Sequence, residues 1–206
     1  MKDIILMGPK HSGKTTTGKA LASLFSCNFI DIDELILQRT GKSPRQLFSE
    51  DPVIFKKAEA EALAALVDSG GNSVGSCNCA NGASIANSAD NAAGGTYITD
   101  HADNAGVKQR VIAAGGGIID NNEAMSILKK SSAVMVYLDI SAEDAWDRIA
   151  AGGELPPFLK TENPQETHRA LHERRAAAYL QIANIVIKTE GKSPQERAAE
   201  IFSRLN

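Results

Sequence analysis

The chain has 206 residues, 43% hydrophobic and 23% charged, enough for one soluble globular domain with a sizeable core. A net charge of -3, with basic residues scattered along the chain, gives no massed basic surface for nucleic acid or membrane lipid. Three cysteines make no disulfide framework and point to a reducing cytoplasm, and the opening apolar run is too short for a signal peptide or a membrane span.

Ile4–Met7 predicts the first strand and Thr16–Phe25 a helix. Between them lies Gly8-Pro9-Lys10-His11-Ser12-Gly13-Lys14-Thr15, a complete phosphate cradle of the Gly-x4-Gly-Lys-Thr type in the strand-to-helix context it needs. The glycines let the backbone curl with N–H groups inward, and the helix adds its positive end. His11, Ser12, Gly13, Lys14, Thr15 and Thr16 are therefore expected to hold ATP phosphates. Lys14 reaches the β- and γ-phosphates, and Thr15 offers a hydroxyl to Mg²⁺. Because phosphoryl transfer is mostly positioning and charge neutralisation, the cradle alone does not name the acceptor.

Asn28–Asp31 predicts a second strand, ending in Asp31-Ile32-Asp33. In extended backbone two carboxylates two residues apart share one face. One can hold Mg²⁺ through water; the other can accept a hydrogen bond from a substrate hydroxyl. The alternative is that Asp33 caps a helix beginning at Glu34. Ser43-Pro44 starts a short helix. Phe55-Lys56-Lys57-Ala58-Glu59 opens another that ends near Val67; its lysines face either an anionic acceptor or solvent.

Residues 69–106 break the rhythm: 26 of these 38 residues are Gly, Ala, Asn or Ser, and no Lys or Arg occurs between Lys57 and Lys108. Such a segment buries too little apolar surface to offset its ordering entropy and reads as a low-complexity insertion. Lying in a helix-to-strand connection, it belongs at the sheet end opposite the one where ligands gather. Cys77, Cys79 and His101 fall inside it at a spacing that matches no usual zinc pattern.

Val111–Ala114 predicts the third strand, and Gly115, Gly116 and Gly117 follow it, either to let a ligand approach backbone closely or as a plain turn. Val134–Leu138 and Ile185–Lys188 complete five strands. Ser141 precedes an acidic first turn. Asn163 and Ser193 each precede a proline in the N-cap pattern, Ser193 with a capping box to Glu196. Glu173-Arg174-Arg175-Ala176-Ala177-Ala178-Tyr179 sits on the helix after Pro164, its arginines placed either to clamp a carboxylate or for surface pairing along the helix. The alternation implies an α/β fold, a parallel sheet covered on both faces, within a single domain spanning 1–206.

The cradle, Asp-x-Asp, Phe-basic-x-x-Glu, Gly-Gly-Gly and Arg-x-x-x-Tyr occur in an order and spacing that resembles the shikimate kinase family over nearly the whole chain outside the insertion. The resemblance implies a nucleoside-monophosphate-kinase-like three-layer fold with sheet order 2-3-1-4-5, and MgATP-dependent phosphorylation of the 3-hydroxyl of shikimate, in aromatic amino-acid synthesis. It implies that Lys14 stabilises the migrating phosphoryl group, that Thr15 and Asp31 hold Mg²⁺, and that Asp33 orients and activates the acceptor hydroxyl. Gly115, Gly116 and Gly117 would meet the substrate with backbone, and Lys56 and Arg175 would hold its carboxylate. Arg148 would stack on adenine, and Pro194 would close the adenine pocket. The expected enzyme is a monomer.

Two positions depart from the family pattern. The family has arginine where this chain has Lys56, which keeps the charge and loses the planar fork. The family lid, spanning 152–162 here, reads Arg-Pro-Leu-Leu; this chain has Pro156-Pro157-Phe158-Leu159, so Pro156 stands in the arginine's place and Lys160 is the nearest lid cation. These departures keep two alternatives open: a kinase for another small hydroxy or sugar acid, and a catalytically impaired nucleotide-binding regulator.

Overall fold

The computed structural model describes residues 2–68, 109–152 and 155–206. The insertion at 69–106, with Cys77, Cys79 and His101, lies outside the described residues, as do two positions of the lid.

Five strands, β1 (Ile4–Met7), β2 (Asn28–Asp31), β3 (Arg110–Ala113), β4 (Val134–Asp139) and β5 (Ile185–Lys188), form one sheet in the order β2-β3-β1-β4-β5. Every neighbouring pair is parallel. The helices are α1 (Lys14–Phe25), α2 (Ile32–Thr40), α3 (Pro44–Glu50), α4 (Pro52–Asp68), α5 (Asn122–Lys130), α6 (Ala142–Ala151), α7 (Pro164–Ile182) and α8 (Pro194–Leu205). The expected α/β architecture and sheet order are present.

β1 is central because all four of its residues are fully buried. A strand covered on both faces cannot alternate apolar with polar residues. Its side chains divide between two cores. Ile5 and Met7 pack with Ile112, Tyr137, Ile36, Leu63 and Leu128 on one face. Ile4 and Leu6 pack with Leu21, Val136, Leu138 and Ile201 on the other, beneath the paired helices α1 and α8. α7 is tied to the first face by Tyr179, which is fully buried and stacks on Tyr137 with ring centroids 5.3 Å apart.

Several boundaries differ from the sequence reading. β3 runs one residue earlier than Val111–Ala114, though the Ala114 amide still donates to the Leu6 carbonyl at 3.0 Å. The α1 helix begins at Lys14, immediately at the cradle. Asn163 makes no side-chain cap, because its backbone sits at φ -124°, ψ 75°; its carbonyl instead accepts from the Thr167 amide and hydroxyl. Ser43 and Ser193 both form complete capping boxes, with Gln46 and Glu196.

Parallel pairing places every strand's C-terminal end at one edge of the sheet. Ala113 lies level with Leu6 on one side and with Asp31 on the other. The connections after β1, β2 and β3 therefore emerge side by side, and they carry the cradle, the two aspartates and the triple glycine.

Candidate active site

The cradle holds backbone conformations that most residues resist. Gly13, at φ +88°, is packed so closely that a Cβ there would lie 2.9 Å from the Arg197 Nη1. Lys14 is half-buried, and its Nζ donates to the carbonyls of Gly8 and Pro9, each at 2.9 Å. Burial of the ammonium is the dominant influence on its titration and brings its pKa down to about 8, against the opposing attraction of Asp33 and Asp31. Thr16 Oγ1 donates to the Gly13 carbonyl at 3.1 Å, and Ser12 is fully buried with its hydroxyl unpartnered. His11 has φ +63°; burial, then Lys10, Lys14 and Arg148, lower its pKa, so the imidazole is neutral near pH 7. Arg148, from α6, donates from Nη1 to the His11 carbonyl at 2.8 Å, which seats this arginine on the outer rim of the cradle.

Asp31 and Asp33 do not share a strand face. The chain turns into α2 at Ile32, so Asp31 ends β2 and Asp33 lies in the helix's first turn. The cap is Asp31: its Oδ1 accepts from the Asp33 amide at 3.0 Å, which corrects the expectation that Asp33 would cap. Asp31 Oδ2 meanwhile accepts from the Thr15 hydroxyl at 2.7 Å. A hydroxyl and a carboxylate already in contact beside a phosphate cradle form a hard oxygen set that fits Mg²⁺, which keeps most of its shell for water and phosphate. Among the described residues no cluster of three or more metal-binding side chains competes for that role. Asp33 keeps solvent contact, yet protein crowds its carboxyl. Burial and then Asp31 raise its pKa, with Lys14 and Lys10 opposing.

The triple glycine makes three separate close contacts, one per residue. A Cβ on Gly115 would collide with Glu59 Oε1 and approach Asp33 Oδ1 at 3.5 Å. One on Gly116 would lie 2.9 Å from the Lys10 amide nitrogen, so only glycine lets this loop touch the cradle backbone. One on Gly117 would lie 3.2 Å from the Arg175 Nη2. The protein's own packing against Glu59, Lys10 and Arg175 therefore demands small residues here. Arg175 in turn pairs with Asp120 rather than along its own helix. The loop thus lies against the cradle backbone at Lys10, near Asp33 and along Arg175. Lys56 is exposed on α4; its carbonyl accepts from Asn121 Nδ2 at 2.7 Å, and its charge acts on Glu59.

Three buried residues near the cradle and the triple glycine are given no role by the sequence. Glu59 is 1% exposed. Its Oε2 accepts from Asn121 Nδ2 at 2.9 Å, while Oε1 has no hydrogen-bond partner. Burial pushes its pKa up to about 7, against the Asn121 hydrogen bond. An acid spaced on the buried side of α4, among Ala60, Ala62 and Leu63, is the signal that marks it. Asn121 links Glu59 to the N-terminus of α5, which it also caps. Arg197 is 5% exposed; its Nη1 donates to the Ser12 carbonyl at 3.2 Å and its Nε to the Ser193 carbonyl at 3.3 Å. It stands one helical turn before Ile201, in an apolar stripe where a surface arginine does not belong. In the lid, Pro156 is buried and its carbonyl accepts from the Leu159 amide at 2.9 Å, closing a 3₁₀ turn over Pro157–Leu159. Lys160 is exposed beside it.

Fold and cradle together define a P-loop kinase of the nucleoside-monophosphate-kinase type, acting on a small molecule. The chain belongs to the shikimate kinase family, whose sequence model, described as "Shikimate kinase", matches residues 10–94 and 96–206. It is 27% identical over 204 residues to a shikimate kinase of Corynebacterium efficiens, covering 98% of this chain and 95% of that one. With that of Persephonella marina it shares 29% identity over 206 residues, covering 100% and 99%. Among solved structures, shikimate kinase from Acinetobacter baumannii in complex with shikimate superposes with a TM-score of 0.74 at 26% identity, over 100% of this chain and 93% of that one. A deoxyadenosine kinase from M. mycoides, at 12% identity and a TM-score of 0.53, shares the fold alone. No helix among the described residues is long and apolar enough to cross a membrane.

Proposed function

We propose that this chain transfers the γ-phosphoryl group of ATP to the 3-hydroxyl of shikimate. The observation that carries the reading is the contact between the triple-glycine loop and the cradle at Gly116 and Lys10, which brings the loop that packs along Arg175 directly against the cradle backbone. On this reading Arg175 and Lys56 bind the acceptor's carboxylate, and the backbone at Gly115, Gly116 and Gly117 lines its ring. Asp33 accepts the hydrogen bond of the attacking hydroxyl and takes its proton as the new O–P bond forms and the bond from the γ-phosphorus to its bridging oxygen breaks. Lys14 neutralises charge on the transferred group. Thr15 and Asp31 would hold Mg²⁺, which supplies further charge neutralisation. His11, Ser12, Gly13 and Thr16 bind the phosphates through the loop and helix start, and Arg148, held to the His11 carbonyl, would stack on the adenine. On this reading the enzyme works as a monomer in the ATP-supplied cytoplasm.

The direct test is ADP release in the presence and absence of shikimate at saturating MgATP. Shikimate-dependent release is expected. Its absence, together with turnover of another hydroxy acid from a panel, would favour the second reading, which Lys56 and Pro156 motivate. Nucleotide binding without transfer to any acceptor would mark an impaired regulator.

The titration of Lys14 makes nucleotide affinity pH-dependent. The free ammonium titrates at about 8, and bound phosphates favour its charged form and so raise that value. Above about pH 8, binding must therefore take up a proton, and MgADP affinity falls by up to about ten-fold per pH unit. Calorimetry at pH 8.5–9 in buffers of different ionisation enthalpy should show net proton uptake that vanishes in Lys14→Met. Uptake of equal size in both proteins would assign it elsewhere.

Pro156→Arg tests the lid. An arginine facing the phosphates can supply roughly 10³–10⁵ in rate. Because Pro156 is buried and its carbonyl closes the Leu159 turn, a smaller gain is expected, about ten-fold in kcat with little change in shikimate KM. An unchanged kcat would show that the lid proline does not limit the rate.

A further inference from the structure

The arginine assigned to the acceptor's carboxylate is already engaged by an internal carboxylate. Asp120 Oδ2 accepts from the Arg175 Nε at 2.8 Å and lies 2.7 Å from its Nη2. The same carboxylate takes a two-pronged contact from Arg174, whose Nη1 donates to Oδ1 at 2.7 Å and Nη2 to Oδ2 at 3.0 Å. Burial alone would raise the Asp120 pKa, but the Arg174 hydrogen bond and the Arg175 charge outweigh it and hold the carboxyl below its usual range. Asp120 is thus a permanent anion between two cations.

Its place in the chain gives the contact a purpose. Asp120 closes the short 3₁₀ turn that leaves the triple glycine, and its amide donates to the Gly117 carbonyl at 2.9 Å. One turn along α7 from Arg175, the Tyr179 hydroxyl donates to the Gly116 carbonyl at 3.3 Å. Loop and helix are therefore fastened at two points, and the Arg175 guanidinium is laid along Gly117. Guanidinium has five N–H donors in a flat fork. Asp120 occupies the Nε and Nη2 side only, leaving the Nη1 end for a second carboxylate.

We propose that Asp120 is a positioning residue that sets the orientation of Arg175 for the acceptor's carboxylate, with Arg174 offsetting its charge. The inference rests on Arg175 being the acceptor clamp. A lone arginine loses rotamer freedom when it binds a ligand; one held beforehand has already lost it. Holding it with a single carboxylate would leave a neutral pair that attracts an anion weakly. The second arginine restores one net positive charge to the group, and its side chain, more than half exposed, is held by this pairing. The partial competition that an internal carboxylate offers is confined to the edge of the fork that the ligand does not need.

Steady-state kinetics on Asp120→Asn test the proposal. Loss of the charged hydrogen bonds should raise shikimate KM about ten-fold, with kcat and ATP KM each within about two-fold of the parent. In an Arg175→Gln background the same substitution should add nothing, because the effect runs through Arg175. A role in folding alone would lower thermal stability without this selective KM change. Should Asp120→Asn fail to fold, Arg174→Gln supplies the second arm: shikimate KM rises about three-fold and depends less on salt. An unchanged or lowered shikimate KM in Asp120→Asn, or an undiminished effect in the Arg175→Gln background, overturns the proposal; so does an unchanged KM in Arg174→Gln. Shikimate-dependent turnover in the parent that survives Arg175→Gln with KM unaltered removes the clamp, and a parent that ignores shikimate removes the whole acceptor reading.

Discussion

Lys14→Met is expected to lower shikimate-dependent ADP release by roughly 10³-fold or more, the scale of losing a preorganised charge at a migrating phosphoryl group. Methionine keeps the apolar stem, so the cradle loses the ammonium rather than its packing. The fold should tolerate the change. The folded-state pKa of Lys14 is depressed from 10.5 to about 8 by burial, so the folded state disfavours the ammonium; stability falls as pH drops from about 10.5 to about 8, and the full cost is present below that. At pH 7 the charged lysine is therefore a stability cost, set against its two bonds to the Gly8 and Pro9 carbonyls. Thermal melting at pH 7 should show a midpoint equal to or above that of the parent. Activity within ten-fold of the parent would overturn the reading of the cradle as a catalytic site.

Asp33→Asn is expected to lower kcat by about 10²–10⁴, the range of a positioned acid–base group. Asparagine has nearly the same shape and cannot take a proton. The helix start survives, because α2 is capped by Asp31 and not by Asp33. Removing the Asp33 charge also removes the largest attraction holding the Lys14 ammonium charged, so the alkaline limb of nucleotide binding should move to lower pH. The Asp31→Asn variant separates the two aspartates: it weakens the Thr15–Asp31 contact and should raise the Mg²⁺ concentration required for turnover. If both variants change only Mg²⁺ dependence, Asp33 is not the group that receives the hydroxyl proton.

Some of this protein was readable from residue order because its causes are local. The cradle, five strands and the serine caps at Ser43 and Ser193 each depend on a few neighbouring residues and on apolar periodicity. Gly-Gly-Gly after a strand leaves a ligand's close approach and a plain turn both open, and the close approaches in the fold are to Glu59, Lys10 and Arg175. The acidic pair differs from the extended reading in its geometry: a helix beginning at Ile32 replaces the extended backbone that would put both carboxylates on one face. Asn163 failed as a cap because a residue type suits a role only when its backbone angles allow it.

Long-range pairing was beyond that local reading. Asp120 meets Arg175 across 55 positions, Asn121 meets Glu59 across 62, and Arg197 meets the Ser12 carbonyl across 185. No periodicity links such residues; the parallel crossovers of the sheet bring them together. For the same reason Glu59 could be seen as an acid on an apolar helix face, but its raised pKa comes from burial against Gly115 beside Asp33. Sequence alone thus established the phosphate cradle and the class of chemistry, since those reside in one contiguous strand–loop–helix unit. The meeting of the triple-glycine loop with the cradle, and the engagement of Arg175 by Asp120, arise from contacts between distant segments and exist only once the sheet has ordered them.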